Sequence, residues 1–361
     1  MREFKIFLVL VIFTGIVYWG VEPYAHSQMN EHTSAVNFDF KAEDINQAKV
    51  ELEKAMNSDK TGAEKEKDIE FAKMQLKDYE QLWANVDKIA SLKADVSNGK
   101  EAFELNCASC HRASFDGFND ADDSISAYGI IYPDLSTAGA IYDDKFLMAI
   151  SLNPALAMKN HKKYNEQNPH PMLTAFLEED GSISEENAQS VADIVAYLKS
   201  IGNKALLSEQ EKLAKEINAS KMSDEDKQKA IELSKHRLVF EHACARCHDV
   251  KYDKLFAKIN ANDLAAYMGS IPPDLSMVIR AKGEEYLNKF LNDTQKQLAG
   301  TAMPRVGLNA HSQEEVISYL SVVGDSKKAE RESLGIKIMI YFAVMAVLAF
   351  LWKKAIWKDL H

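Results

Sequence analysis

Long apolar runs stand at both ends of the chain, and the body between them alternates apolar and charged positions with a helical period. The first run covers residues 6–21 without a charge and follows Arg2 and Lys5. An apolar run of about 16 residues after a positive start is typical of a signal peptide or a membrane anchor. Residues 1–30 are therefore predicted to form a signal-anchor or N-terminal membrane helix, with a cleaved signal peptide as the open alternative.

The second apolar run covers residues 334–352 and carries one charge, Lys337. As a helix it would be about 28 Å long, close to the ~30 Å hydrocarbon thickness of a bilayer. We predict a membrane helix at 333–353 and a basic cytoplasmic tail at 354–361, because lysine and arginine concentrate on the cytoplasmic side of membrane helices. The basic residues at the N-terminus give the same orientation, so the body of the chain is expected outside the cytoplasm.

Apolar residues of the body recur three to four positions apart, which is the period of an amphipathic helix. Two such stretches are separated by the helix-breaking residues 58–62, so residues 31–95 are predicted to form a helical hairpin. Residues 203–230 are similar but more charged, and we interpret them as a charged helical linker. The apolar positions of the hairpin are Ile45, Ala48, Leu52, Ala55, Tyr79, Trp83, Val86 and Ile89.

Three short motifs occur twice, in the same order, between the hairpin and the C-terminal run. A Cys-x-x-Cys-His sequence at 107–111 recurs at 244–248, and Pro-Asp-Leu-Ser at 133–136 recurs at 273–276. A helical pattern that ends in Tyr-Leu closes each copy. Repeated motifs in a fixed order indicate two copies of one domain. The two predicted copies occupy residues 96–202 and 231–326.

Composition narrows both the fold and the partners. Glycine (15 residues) and proline (8 residues) are scarce, which favours helices over a sheet with many turns. The chain has 54 acidic and 43 basic residues, and this balance argues against nucleic acid as a partner. Four cysteines are too few for a disulfide scaffold in 361 residues, so their positions matter more than their number.

All four cysteines lie in the two Cys-x-x-Cys-His motifs, which is the attachment pattern of c-type haem. Two cysteines three residues apart can bond the two vinyl-derived carbons of one porphyrin, while the next histidine reaches the iron. A zinc ribbon would place its second pair about 15–20 residues from the first, and these pairs are much further apart. We predict two covalently bound c-type haems, held by Cys107, Cys110, His111, Cys244, Cys247 and His248.

The sixth iron ligand must come from later in each copy, and the methionine thioether is a soft donor typical of electron carriers. Met303 lies just before the last helix of the second copy and is followed by a proline. Met172 has the corresponding place in the first copy, with Met158 and His170 as alternatives. The predicted iron ligands are His111 with Met172 and His248 with Met303.

The Pro-Asp-Leu-Ser motifs are candidate supports for the two histidines. In small c-type domains a proline carbonyl at this place accepts the ring N–H of the iron-binding histidine, fixing its orientation and raising its basicity. Pro133 and Pro273 are the candidates, and Leu135 and Leu275 are expected to pack on the porphyrin. A turn that merely ends a loop is also compatible with the motif. The predicted fold is all-α: two tandem class I cytochrome c-like domains, a helical insert and two terminal membrane helices.

Residues 271–291 resemble cytochrome c1, the haem subunit of the bc1 quinol:cytochrome c reductase. That family has a Pro-Pro-Asp-Leu-Ser block, basic residues beside it, a tyrosine soon after, a methionine ligand and a C-terminal anchor with a basic tail. The corresponding residues here are Pro272 to Ser276, Arg280, Lys282, Tyr286, Met303 and 334–352. The resemblance implies that Arg280 or Lys282 binds a haem propionate.

A typical cytochrome c1 carries one haem, so this chain looks like the dihaem c1-type subunit of some bacterial bc complexes. The resemblance implies a relay of electrons from a Rieske iron–sulfur protein to a downstream cytochrome c, beside a cytochrome b subunit in a dimeric complex. It also implies a bacterial inner membrane, with the haem domains on the periplasmic side. We assign the Rieske side to the second haem, because its c1-like half adjoins the C-terminal anchor.

Two other functions use tandem c-type domains: the dihaem subunit of a haem–copper (cbb3-type) oxidase, and a dihaem cytochrome c peroxidase. The peroxidase needs one iron with an open or displaceable ligand, and the basic C-terminal span argues against the oxidase subunit. No constellation of catalytic side chains stands out, so we expect an electron-transfer subunit rather than a stand-alone enzyme. Acidic residues of the first copy suit a basic electron acceptor, or simply form a solvated face. They are Asp116, Asp120, Asp122, Asp123, Asp143, Asp144, Glu178, Glu179, Asp180, Glu185 and Glu186.

Overall fold

The fold is helical, as the sequence predicts. In the part of the chain that the structure describes there is no β-strand, and only isolated bridges pair extended residues. This structure is a computed structural model, and it describes residues 2–28, 38–120, 132–161, 163–164, 168, 170–172 and 175–358. Asp122 and Asp123 of the acidic set lie outside the described residues.

A π-helical segment (Val17–Val21) links the first two helices. The helices of the N-terminal half are α1 (Arg2–Ile16), α2 (Glu22–Gln28), α3 (Phe40–Met56), α4 (Ala63–Ala90), α5 (Val96–Asn106), α6 (Ala138–Ile141), α7 (Asp144–Leu152), α8 (Pro154–Ala157) and α9 (Glu185–Asn218). Those of the C-terminal half are α10 (Asp224–Ala243), α11 (Ala261–Met268), α12 (Val278–Lys282), α13 (Glu284–Asn292), α14 (Thr294–Gln297), α15 (Ala310–Gly324) and α16 (Lys328–Lys358).

The two ends of the chain form exposed apolar helices. The segments Arg2–Ala25 and Glu330–Lys358 are each long and apolar enough to cross a membrane. The most apolar part of each segment is not buried against the rest of the protein. Both are compatible with membrane anchors. Lys353 forms an ion pair with Glu3, so the two segments approach each other at the ends that carry the basic residues.

Helices α3 and α4 pack against each other as the predicted hairpin. Asp39 caps α3 by accepting the N–H of Ala42 at 3.1 Å. Lys41 at the start of α3 lies 2.6 Å from the carboxylate of Asp87 near the end of α4, so the helices run antiparallel. One face of α4 is buried against the rest of the molecule, through Tyr79, Leu82, Trp83, Val86 and Ile89.

The two repeats have matching helical cores. In the first, α5 packs on α9, with the rings of Phe103 and Tyr197 5.5 Å apart. In the second, α10 packs on α15, with the rings of Phe240 and Tyr319 5.0 Å apart. Each tyrosine hydroxyl donates to an aspartate just after the histidine motif, over 2.8 Å to Asp116 and 2.7 Å in the second repeat.

The predicted linker is not a separate element. Residues 203–218 continue α9 without a break beyond the expected domain end at residue 202, and residues 224–230 are the first turns of α10. The sequence from 203 to 218 contains neither glycine nor proline, so nothing interrupts the hydrogen bonds of the helix. The last helix of the first repeat therefore leads directly to the first helix of the second.

Backbone hydrogen bonds also join the two repeats. Tyr142 and Leu308 form an antiparallel bridge. The N–H of Asp143 donates to the carbonyl of Gly307, and the N–H of Asn309 donates to the carbonyl of Ile141, both over 3.0 Å. These bonds fix the segment before α15 against the segment between α6 and α7.

Candidate haem sites

The first Cys-x-x-Cys-His motif is a tight turn at the end of α5. The N–H of Cys107 donates to the carbonyl of Phe103 at 2.8 Å, and the N–H of His111 donates to the carbonyl of Cys107 at 2.8 Å. Phe103 is fully buried and so fixes the turn to the core. This local structure places both thiols and the imidazole on one short segment.

The second motif has the same hydrogen bonds at the end of α10. The N–H of Cys244 donates to the carbonyl of Phe240 at 2.8 Å, and the N–H of His248 donates to the carbonyl of Cys244 at 3.0 Å. The motif that recurs in the sequence is thus also a recurring backbone structure.

Each histidine is held by the proline that the sequence singled out. Nδ1 lies 3.1 Å from the carbonyl oxygen of Pro133 for His111, and 2.8 Å from that of Pro273 for His248. Because a carbonyl oxygen can only accept, Nδ1 must carry the proton. Burial lowers the pKa of both imidazoles, while the proline carbonyls partly oppose this. Each neutral ring therefore keeps the lone pair on Nε2, which is the donor that a haem iron needs.

The four cysteine side chains fit thioether attachment better than metal-thiolate binding. None forms a disulfide. Burial raises the pKa of Cys107 and of Cys244 to about 12, so these thiols are neutral in the chain by itself. Among the described residues, no group of three or more His, Cys, Asp or Glu side chains comes together as a metal-ion site.

The Pro-Asp-Leu-Ser loops are attached to the turn that follows each histidine, and sequence reasoning had assigned no role to their Asp and Ser. Asp134 Oδ1 accepts from the backbone N–H and the hydroxyl of Ser136, at 2.8 and 2.5 Å. The same hydroxyl oxygen accepts the N–H of Phe115 at 3.0 Å. The N–H of Leu135 donates to the carbonyl of Arg112, the residue after His111, at 2.7 Å. The loop thus sets the proline carbonyl relative to the histidine.

The second loop repeats this network. Asp274 accepts from the backbone N–H of Ser276 at 3.0 Å and from its hydroxyl at 2.7 Å. The hydroxyl oxygen accepts the N–H of Tyr252 at 3.1 Å. The N–H of Leu275 donates to the carbonyl of Asp249 at 2.9 Å. The motif could have suggested this network, because Asp-x-Ser is a common side-chain-to-backbone turn.

The predicted leucines and one predicted methionine share apolar clusters with the motifs. Leu275 and Met303 pack against the cluster that contains Cys244. Leu135 packs against the cluster around Phe103, together with Cys107.

The methionine ligand of the first repeat stays a prediction. Met172 is half-buried and is not among the residues of the cluster around Cys107, whereas Met158 packs against that cluster. Met158 comes directly after α8, and the residue at the corresponding place in the second repeat, directly after α14, is Leu298. Met158 therefore does not correspond to Met303, and Met172 remains the counterpart of Met303.

The hydrogen bond of His170 argues against it as an iron ligand. Its Nδ1 lies 3.0 Å from the backbone N–H of Met172 and must accept, so the neutral ring carries its proton on Nε2. Thr301 makes the same turn, since its Oγ1 accepts the N–H of Met303 at 3.4 Å. His170 thus takes the place of a turn-forming threonine.

The two candidates for propionate binding have other neighbours. Lys282 Nζ lies 5.4 Å from the ring centroid of Tyr286, a cation–π distance. Arg280 is exposed on α12, and after Arg331 its charge helps to lower the pKa of Asp325.

Several of the acidic residues are already paired. Asp116 lies 2.8 Å from Lys100, Asp144 pairs with Lys199, and Asp143 caps α7. The charge available to an external partner is therefore smaller than the sequence suggests.

Comparison with known proteins now identifies the class of the first site. The family model of cytochrome c matches residues 96–202, so this segment is a cytochrome c domain, which implies covalently bound c-type haem. The second repeat lies outside the matched residues. This domain supports the interpretation of the chain as a c-type electron carrier.

One curated relative is the ammonia monooxygenase gamma subunit of Nitrosomonas europaea. It is 23% identical over an alignment of 147 residues, which covers 30% of this chain and 63% of the relative. The chain thus spans less than two thirds of the length of the relative it matches. No solved structure matches this chain.

Proposed function

We propose that this protein is a dihaem c-type cytochrome, with one haem in each repeat. The observation that carries the proposal is the recurrence of the histidine–proline hydrogen bond, at 3.1 Å in the first repeat and 2.8 Å in the second, on identical backbone turns. When bound, each haem supplies an iron that takes up and gives back one electron. The residues of the chain attach the porphyrin, orient the histidine and supply the methionine.

The haem content tests this proposal directly. The pyridine haemochrome spectrum of the purified full-length protein should give two haems per chain. Replacing both cysteines of the second motif, Cys244→Ser with Cys247→Ser, should reduce the content to one. The same substitutions at Cys107 and Cys110 are the matched control and should also leave one. A single haem in the unmodified protein would contradict a dihaem cytochrome.

We further propose that the protein relays electrons from a Rieske iron–sulfur protein to a downstream cytochrome c, within a quinol:cytochrome c oxidoreductase. Two features support this: the cytochrome c1-like segment 271–291, and the two candidate membrane helices that would hold the haem domains at the membrane. The second haem would receive the electron, because its domain leads directly into α16. The periplasmic side of a bacterial inner membrane is the proposed location.

Co-purification distinguishes this role from its alternatives. Solubilised under mild conditions and captured by a tag, the protein should bring down a b-type cytochrome and a Rieske protein. Capture of a copper-containing oxidase subunit would instead support the cbb3-type role. Rapid peroxide turnover with a high-spin haem would support the peroxidase. The name of the Nitrosomonas relative describes a subunit of a monooxygenase, and the matched 30% of this chain gives no ground for transferring that activity.

The first haem would then serve as the exit, and its domain is the more acidic of the two. Residues 96–202 contain 16 acidic and 7 basic residues, whereas residues 231–326 contain 12 and 11. Such an imbalance favours a basic acceptor approaching the first domain.

A further inference from the structure

A buried cluster of four charges joins the helical hairpin to both repeats. Asp44 comes from α3, Lys159 follows α8 in the first repeat, and Asp293 and Arg305 come from the second repeat. All four residues are buried, and Asp44 and Arg305 are only 0% and 1% exposed. With two acidic and two basic side chains, the cluster carries no net charge.

The geometry of the cluster centres on Asp44. Its two carboxylate oxygens accept from the guanidinium of Arg305 at 2.9 and 2.5 Å, a bidentate pair. Lys159 Nζ lies 3.1 Å from the same carboxylate, and the indole N–H of Trp83 donates to it at 3.1 Å. Asp293 pairs with Lys159 and lies 3.3 Å from Arg305.

A cluster of this kind adds little net stability, because the desolvation of four charges offsets most of their attraction. Burial by itself would raise the pKa of Asp44, but Arg305 and Lys159 hold it below its usual value, so the carboxylate stays ionised. Lys159 also adopts a left-handed backbone conformation, with φ of 55°, which is strained for a non-glycine residue. What the cluster provides is a specific geometry rather than stability.

That geometry fixes the segment that carries the second methionine. Arg305 is two residues after Met303, and its backbone N–H donates to the carbonyl of Met158 at 3.0 Å. Beyond it, Gly307 accepts the N–H of Asp143 at 3.0 Å. Gly307 has φ of 73°, and a Cβ there would lie 2.1 Å from the ring of Phe146. The segment 303–309 is thus held by the first repeat and by the hairpin.

We infer that Arg305 is a positioning residue for Met303, and that the hairpin, through Asp44, holds the methionine of the second haem in place. The inference rests on the proposed dihaem function, since it requires a haem at His248. It gives the hairpin, which belongs to neither repeat, a role in setting the reduction potential of the second haem. None of the residues predicted to bind the first haem belongs to the charge cluster or to the segment 303–309. The reduction potential of the first haem should therefore change little when the cluster is altered.

The test is the near-isosteric variant Asp44→Asn in the full-length protein. Its oxidised spectrum should lose about half of the weak near-infrared band of the methionine–iron bond, because one of two haems is affected. In a redox titration one haem should shift to lower potential while the other stays. A tenfold weaker preference of the methionine for reduced iron corresponds to about 59 mV for a one-electron couple.

The matched control is Asp87→Asn, on the other helix of the same hairpin. Asp87 also pairs with lysines, at 2.6 Å from Lys41 and 3.5 Å from Lys145, but it is half-exposed and contacts no residue of the second repeat in these pairs. This variant should keep the full near-infrared band and both potentials. Arg305→Lys should retain more of the near-infrared band than Arg305→Met, because lysine keeps the positive charge.

Each outcome decides between the possibilities. If Asp44→Asn folds with two haems and both potentials are unchanged, the cluster is only structural and the inference is wrong. If the single variant fails to fold, Asp44→Asn with Lys159→Met restores the charge balance around Arg305 and Asp293, and is judged by the same two readouts. If the unmodified protein holds one haem, the dihaem proposal itself fails, which the haem content shows before any variant is made.

Discussion

The crossing of α5 and α9 gives the sharpest stability prediction, because it leaves no room for a side chain at Gly99. A Cβ built there would lie 2.0 Å from the carbonyl oxygen of Asp193, 2.6 Å from its carbonyl carbon and 2.8 Å from Cβ of Tyr197. Two of these three atoms are backbone, so a rotamer change cannot relieve the clash. Gly99→Ala must therefore move one helix away from the other.

The size of the effect follows from the distances. Carbon–oxygen contacts are ordinarily about 3.3–3.6 Å, so the helices must separate by about 1 Å or more. Overpacking of this kind costs about 3 kcal/mol, against which alanine gains about 1 kcal/mol in helix propensity. The net loss of about 2 kcal/mol should lower the Tm of a domain of this size by about 10 °C.

The assay is thermal unfolding of the full-length protein, followed by the haem circular dichroism of the first domain. Asn98→Ala is the control, since Asn98 is exposed on the same turn of α5 and should melt like the unmodified protein. If Gly99→Ala melts within about 2 °C of the control, the close crossing and the cost derived from it are both refuted.

Three further predictions concern the repeats and their surface. Tyr197→Phe and Tyr319→Phe should each destabilise the protein by about 1 kcal/mol in denaturant unfolding, because each removes one hydrogen bond to an aspartate; an effect at only one tyrosine would contradict matching roles. Burial alone would raise the pKa of Asp134, but hydrogen bonds from Ser114 and Ser136 lower it overall. The stabilising effect of the Asp134 carboxylate is therefore complete above the unfolded pKa of about 3.9 and is lost as the pH falls through the lower folded value. Asp134→Asn should thus make the free energy of unfolding depend less on pH in the acid range, as followed by the haem absorbance. An unaltered acid-unfolding transition would contradict this. Reduction of a basic acceptor cytochrome should slow steeply with added salt in stopped-flow measurements, and a flat salt profile would count against the acidic exit surface.

Short-range patterns carried most of what the sequence could predict. The Cys-x-x-Cys-His motifs form backbone turns through bonds between residues four apart, as at Cys107 and His111. The histidine–proline contact spans 22 residues in the first repeat and 25 in the second, and it was predictable because small c-type domains use a proline carbonyl at this place. The terminal apolar helices were equally predictable, because a continuous apolar run is recognised in the sequence without knowledge of its tertiary contacts.

Long-range contacts were beyond the sequence. Asp44 and Arg305 are separated by 261 positions, and in the sequence each resembles an ordinary surface charge of a helix or loop. Gly99 stands inside a helical pattern, where one glycine gives no sign of the helix that crosses it. The cytochrome c match ends at residue 202, where the sequence predicts the end of the first domain, but the composition there does not show that α9 continues to Asn218.

The separation of Asp44 from Arg305 also bears on the time course of assembly. At 5–20 residues per second, the 261 intervening positions take roughly 13–50 s to synthesise, and during that time the hairpin carries a carboxylate without its principal partner. We expect the pair of Asp44 with Arg305 to form last, after both Cys-x-x-Cys-His turns have emerged from the ribosome. Haem attachment would then act on two open halves, and closure of the charge cluster would mark the mature protein.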